Sequence, residues 1–156
     1  MIRVLFVCLG NICRSPMAEA IFRKLIAEEG LDHQIEVDSA GTGGWHVGEP
    51  PHKGTRTILE EKGISTKGMK ARQVLPGDRD RFDYIIAMDE QNMEELRKRF
   101  GTDDDYCIAR LLDFVKDSPV FDVPDPYFTG NFTEVYDMIE QGCNALLSYI
   151  KEKEQI

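Results

Sequence analysis

The chain has 156 residues, 42% hydrophobic and 30% charged, which suits one compact domain that buries about 70% of its unfolded surface without a disulfide or metal. Its formal net charge of -9 argues against nucleic acid or an anionic membrane surface as a partner. Cys8, Cys13, Cys107 and Cys143 form no Cys-x-x-Cys pair or disulfide framework, and His33, His46 and His52 show no zinc-ligand spacing, so neither a metal nor a cofactor is expected. No apolar run approaches the roughly 20 residues of a membrane span. The apolar start is too short for a signal peptide and lacks a basic n-region, so a cytoplasmic location is expected. Nothing specifies a dimer surface, and a monomer is the expected state.

In chain order, Ile2–Val7 is nearly continuous in apolar residues, the pattern of a central parallel strand covered on both faces. Met17, Ile21 and Leu25 recur at helical spacing, with Phe22 and Ile26 widening the stripe, which predicts a helix from Pro16 to about Glu29 stopped by Gly30. Ile35–Ser39 reads as a second strand, followed by a helix from about Pro51 to Lys62 that ends at Gly63. Asp83–Met88 is a third strand, and Met93, Leu96 and Phe100 mark a helix closed by Gly101. Cys107–Leu112 is a fourth strand, and Phe132 to about Lys151 a final helix with Val135, Ile139, Gly142, Leu146 and Tyr149 on one face. The alternation predicts an α/β fold in which residues 1–156 form a single three-layer domain, a four-stranded parallel sheet flanked by helices. Ligands of such sheets bind outside the carboxyl ends of the strands. Asp103-Asp104-Asp105 reads as a solvated turn, and the glycosylation pattern Asn131-Phe132-Thr133 has no bearing on a cytosolic protein.

The segment Cys8-Leu9-Gly10-Asn11-Ile12-Cys13-Arg14-Ser15-Pro16 lies between the first strand and the first helix. Ser15 is a preferred N-cap and Pro16 suits a first helical turn. A helix N-terminus offers unpaired amides and a partial positive charge to an anion. Gly10 and Asn11 tolerate the left-handed backbone that turns successive amides inward, and Arg14 adds a planar fork matching two phosphoryl oxygens. Cys8 is expected at the base of that ring as a thiolate, an in-line nucleophile for phosphoryl transfer. A cysteine at a strand end is by default a small buried hydrophobe, a reading that leaves Gly10, Asn11, Arg14, Ser15 and Pro16 unexplained as a set.

A poor leaving group in phosphoryl transfer calls for a positioned acid. Asp125 stands between Pro124 and Pro126, which restrict its backbone. Asp113, Asp117 and Asp122 are nearby rivals, and a polar residue in a rigid loop is an equal reading. Trp45, in Gly43-Gly44-Trp45, has poor core-building neighbours and points to recognition, while Tyr127 alone reads as core.

These motifs, with Asp38-Ser39-Ala40-Gly41, Trp45-His46-Val47-Gly48, Lys70-Ala71-Arg72-Gln73, Phe82-Asp83-Tyr84-Ile85, Met88-Asp89 and Asp125-Pro126-Tyr127, make the chain resemble a low-molecular-weight protein tyrosine phosphatase along essentially its whole length. The resemblance implies a phosphocysteine intermediate on Cys8, with Arg14 and the loop amides on the phosphate and Asp125 as general acid and base. It implies Trp45, Tyr127, Leu9 and Ile12 around a deep cleft, Asn11 and Ser39 bracing the loop, and a hydrogen bond from Ser15 to the Cys8 sulfur. It further implies phosphotyrosine proteins or small aryl phosphates as partners, inorganic phosphate as product, and a reversible disulfide between Cys8 and Cys13, with a passive loop cysteine an equal reading of Cys13. Cys107 and Cys143 read as core residues. Phe128 departs from many relatives, which carry a second tyrosine there; phosphorylation at that position is excluded, while Tyr127 keeps it open. Related arginine phosphatases carry threonine where Ile12 stands, which disfavours phosphoarginine. Arsenate reductase needs a relay of closely spaced cysteines that is not present, and a phosphate-binding redox sensor would need no acid.

Overall fold

The computed structural model describes residues 1–101 and 107–156, with the side chain of Cys107 outside that description. Strand β1 spans Ile2–Cys8. Its side chains alternate between two apolar clusters, Val4, Phe6 and Cys8 in one and Leu5 and Val7 in the other. A strand apolar on both faces belongs inside a parallel sheet. β1 accordingly pairs with β2 (Ile35–Gly41) on one side and β3 (Tyr84–Ala87) on the other, and β4 (Cys107–Arg110) lies beyond β3. All pairings are parallel and the order is β2-β1-β3-β4.

Helix α1 (Arg14–Glu28), α2 (Lys53–Glu61) and α6 (Phe132–Glu154) cover the face that carries Phe6, where Phe6 meets Phe22 edge to face at 5.5 Å. Helix α4 (Glu90–Phe100) covers the opposite face through Met93, Leu96 and Phe100. Two four-residue helices, α3 (Asp78–Arg81) and α5 (Pro126–Thr129), are too short to leave a periodic signal in sequence. The chain leaves β1 for β2 on one side and reaches β3 on the other, so a crevice opens above the end of β1 at this switch of direction. Cys8 stands there, in register with Gly41.

Two expectations need correction. The fourth strand stops at Arg110, and Leu111–Phe114 is a 3-10 turn that starts with the Arg110 amide donating to Asp113 Oδ2 at 2.9 Å. Leu111 and Leu112 thereby both enter the cluster under α6, which consecutive strand residues cannot do. Ser15 is not the N-cap: α1 begins at Arg14 with Cys13 in the cap position and no capping side chain, because the Ser15 hydroxyl is engaged inside the loop. The acidic run at Asp103-Asp104-Asp105 lies outside the described residues.

Candidate active site

The loop from Cys8 to Arg14 is gripped by its carbonyls. Those of Cys8 and Leu9 accept from the amides of Thr42 and Gly43 at 2.9 Å each, the Ile12 carbonyl accepts from His52 N at 2.7 Å, and the Cys13 carbonyl accepts from Thr55 Oγ1 at 3.2 Å. With carbonyls turned outward to the end of β2 and the start of α2, the amides turn inward. Among the described residues none accepts from the amides of Leu9 to Cys13. A ring of free N–H groups leading into a helix of 15 residues is an oxyanion cradle. Asn11 holds the left-handed conformation at φ 56°, as expected, whereas Gly10 has no positive φ. Glycine at position 10 is explained instead by room, since a Cβ there would meet the His46 ring at 3.1 Å. Gly41 is required by close approach, because a Cβ would lie 2.9 Å from the Leu9 carbonyl oxygen and 3.1 Å from the Asn11 nitrogen.

Cys8 is buried beneath this ring with its Sγ 2.9 Å from Ser15 Oγ. Asn11 Nδ2 donates to Ser15 Oγ at 2.7 Å and to Ser39 Oγ at 3.0 Å, and Ser39 donates to Glu19 Oε1 at 2.6 Å. The side chains of Asn11, Ser15 and Ser39 thus form a buried relay behind the loop and do not line the cavity in front of it. Cys13 is a different kind of thiol. Burial, reinforced by Cys8 and Asp125, pushes it up to about 12 against the pull of Arg14 and Thr55. Cys143 is fully buried core, as expected.

Arg14 is almost fully buried and tethered at both ends of its fork. Nη1 donates to Asp89 Oδ2 at 2.6 Å and to the Val123 carbonyl at 2.9 Å, while Nη2 lies 3.4 Å from Asp125 Oδ2. Burial works against its charge, but the Cys8 sulfur, Asp89 and Asp125 outweigh it and hold the guanidinium above its usual pKa. Asp125 N-caps α5 by accepting the Tyr127 amide at 3.1 Å, which fixes its carboxylate over the cavity mouth. That cavity, about 220 Å³, is lined by Cys8, Leu9, Gly10, Ile12 and Cys13 of the loop and by Asp125, Trp45, His46, Tyr127 and Phe128 around it. Trp45 and Tyr127 are exposed at 70% and 54%, so neither is core.

Sequence reasoning missed Asp89, Glu19, Gly41, His46 and Phe128 as parts of this site. Asp89 carried a usable signal: an acidic residue at the carboxyl end of a central strand, directly before a helix. His46 adjoins Trp45, and its Nδ1 pairs with Glu49 at 2.8 Å.

The sequence profile described as "Low molecular weight phosphotyrosine protein phosphatase" matches residues 3–156. The chain belongs to the low molecular weight protein-tyrosine-phosphatase family. Within that family it is 60% identical to YfkJ, a low molecular weight protein-tyrosine-phosphatase of Bacillus subtilis, over all of both chains. The crystal structure of YfkJ superposes with a TM-score of 0.96 over 98% of this chain and 96% of that one. PtpA of Staphylococcus aureus, another low molecular weight protein-tyrosine-phosphatase, is 47% identical over 96% of this chain and 94% of its own. A Drosophila arginine phosphatase shares the fold at 34% identity, with a TM-score of 0.85 over 95% of this chain and 97% of that one. The family fold therefore hosts more than one phospho-residue chemistry, and the cavity of this member has to be read on its own residues.

Proposed function

We propose that the protein hydrolyses phosphotyrosine and aryl phosphates through a phosphocysteine formed on Cys8. The observation that carries this reading is the carbonyl-out, amide-in loop that closes over a buried sulfur 2.9 Å from the Ser15 hydroxyl. The loop amides and Arg14 bind the equatorial phosphoryl oxygens, and the Cys8 thiolate attacks phosphorus in line. As the S–P bond forms, the P–O bond to the aryl group breaks and Asp125 delivers a proton to the departing oxygen. The Asp125 carboxylate then takes a proton from water, whose oxygen attacks the phosphocysteine and releases inorganic phosphate and the thiolate. In the free protein Arg14 Nη2 rests against Asp125, so phosphate binding exchanges that contact for phosphoryl oxygens and frees the carboxyl for the leaving group. Because Asp125 must start protonated to deliver its proton, turnover is expected to have a mildly acidic optimum.

The apolar wall supports an aryl substrate. Ile12 lines the cavity, and its branched aliphatic chain gives no hydrogen bond to a guanidinium, so phosphotyrosine fits better than phosphoarginine. A nucleophilic thiol needs a reducing compartment, which agrees with a cytoplasmic location, and among the described residues no helix is long and apolar enough to cross a membrane. The test is p-nitrophenyl phosphate hydrolysis. Cys8→Ser is expected to abolish it, and Asp125→Ala to lower kcat by about 100-fold or more. Inactivity of the reduced wild type would overturn the reading, and faster turnover of phosphoarginine than phosphotyrosine would overturn the substrate class.

A further inference from the structure

Asn11 is the junction of the relay, and the direction of its amide decides what reaches the sulfur. Its Oδ1 accepts the backbone N–H of Arg72 at 2.9 Å. A backbone N–H can only donate, so the Asn11 oxygen must face Arg72 and its NH2 must face Ser15 and Ser39. With Ser15 Oγ already accepting from Asn11, its proton has two acceptors, Cys8 Sγ at 2.9 Å and the Ala40 carbonyl at 3.5 Å, and the nearer one is the sulfur. Turned the other way, the Asn11 oxygen would take the Ser15 proton and leave the sulfur without it. The second branch agrees in direction, since Ser39 accepts from Asn11 and donates to Glu19, which Arg23 Nη2 also meets at 2.5 Å.

The Arg72 amide is placed by an ion cluster outside the phosphate site. The Arg72 fork donates to Asp78 Oδ2 at 2.9 Å and Oδ1 at 3.3 Å, and its Nε to Asp38 Oδ2 at 3.1 Å. Asp78 is 0% exposed and also accepts the Leu75 amide at 2.8 Å, with Arg81 3.9 Å away. The backbone on either side is fixed by the Gly41 amide donating to the Arg72 carbonyl and the Val74 amide to the Gly41 carbonyl. A fully buried carboxylate with two guanidinium donors is costly to retain unless it fixes a geometry, and phosphoryl transfer itself makes no use of Asp78.

We propose that Asp78, acting through Arg72, is a positioning residue that sets the hydrogen-bond direction of the Asn11 relay and so keeps a donated proton on the Cys8 thiolate. The inference rests on the proposed role of Cys8. Arg14 and Cys13, the charged and titratable neighbours of that sulfur, and Asp125 beyond them are left in place by substitutions at Asp78 or Arg72.

The test is the pH dependence of iodoacetamide alkylation at Cys8, followed by peptide mass mapping, in wild type, Asp78→Asn, Arg72→Ala and Asn11→Asp, each first checked for cooperative unfolding. Asp78→Asn keeps the shape and an acceptor for Leu75 but weakens the hold on Arg72. The pH of half-maximal alkylation is expected to rise by about one unit in Asp78→Asn and Arg72→Ala. It should rise by at least as much in Asn11→Asp, whose second oxygen competes for the Ser15 proton. If Asp78→Asn and Arg72→Ala lose stability yet keep the wild-type alkylation profile, the cluster is only a staple of its own loop and the proposal fails. Should Asp78→Asn not fold, Arg72→Ala decides the same question. Alkylation involves no substrate, so a wild type that cannot hydrolyse p-nitrophenyl phosphate would defeat the phosphatase reading while this titration still decides the clamp.

Discussion

Asp89→Asn probes the account most sharply away from the nucleophile, because Asp89 does two separable jobs. Its Oδ2 holds Arg14 Nη1 at 2.6 Å, and its Oδ1 accepts the Asn92 amide at 2.8 Å in a capping box at the start of α4. The ion-pair side chains are 3% and 18% exposed, so removing the carboxylate strands a buried guanidinium with only the Val123 carbonyl and the weaker Asp125 contact. Breaking such a pair costs about 3 kcal/mol, and losing an N-cap about 1 kcal/mol. Asp89→Asn keeps the cap oxygen and is expected to lose only the first amount, a fall in Tm of about 6–12 °C; Asp89→Ala should lose both. A guanidinium displaced from the phosphoryl oxygens should lower kcat/KM about 100-fold in either variant. The assays are calorimetric melting and p-nitrophenyl phosphate kinetics with phosphate inhibition. Wild-type kcat/KM in Asp89→Asn would refute the claim that Asp89 aims Arg14, and equal melting of the two variants would refute the capping role.

The remaining predictions concern the other cysteines. At neutral pH iodoacetamide should modify Cys8 while Cys13 and Cys143, whose thiols burial pushes upward, stay free; labelling of Cys13 first would contradict the assignment of the nucleophile. A folded-state Cys13 near 12, against an ordinary value of 9.0, keeps a proton that the unfolded chain gives up. Stability should therefore fall as pH climbs from about 9 towards 12, less steeply in Cys13→Ser, as read by urea unfolding. After peroxide treatment, thiol should restore wild-type activity through a Cys8–Cys13 disulfide but fail to restore Cys13→Ser. Equal recovery would remove that regulatory role.

The path from sequence to site was clearest where one segment carried its own context. The apolar β1, the Gly10-Asn11 turn and the helix pattern after Pro16 place Cys8 and Arg14 in one loop without further information. Asp125 was less secure, since Asp113, Asp117 and Asp122 stand nearby as rival acids and the family pattern chose between them. What stayed hidden is partnership across distance. Arg14 meets Asp89 75 residues away, and Asn11 meets the Arg72 amide 61 residues away, pairings that no local periodicity encodes. Local preference also misled where tertiary contacts outbid it. Ser15 looks like a cap because serine favours caps, yet a sulfur and an amide inside the loop claim its hydroxyl. Leu111 and Leu112 continue an apolar run, but both are drawn into the cluster under α6.

The covalent step can be observed directly. Mixing the reduced protein with p-nitrophenyl phosphate, quenching in acid within milliseconds and mapping the modified peptide should place one phosphate on the sulfur of Cys8, with none trapped in Cys8→Ser and more accumulating when Asp125 is replaced by Ala. Hydrolysis that proceeds with no phosphoenzyme, or phosphate found on any other residue, would contradict the mechanism.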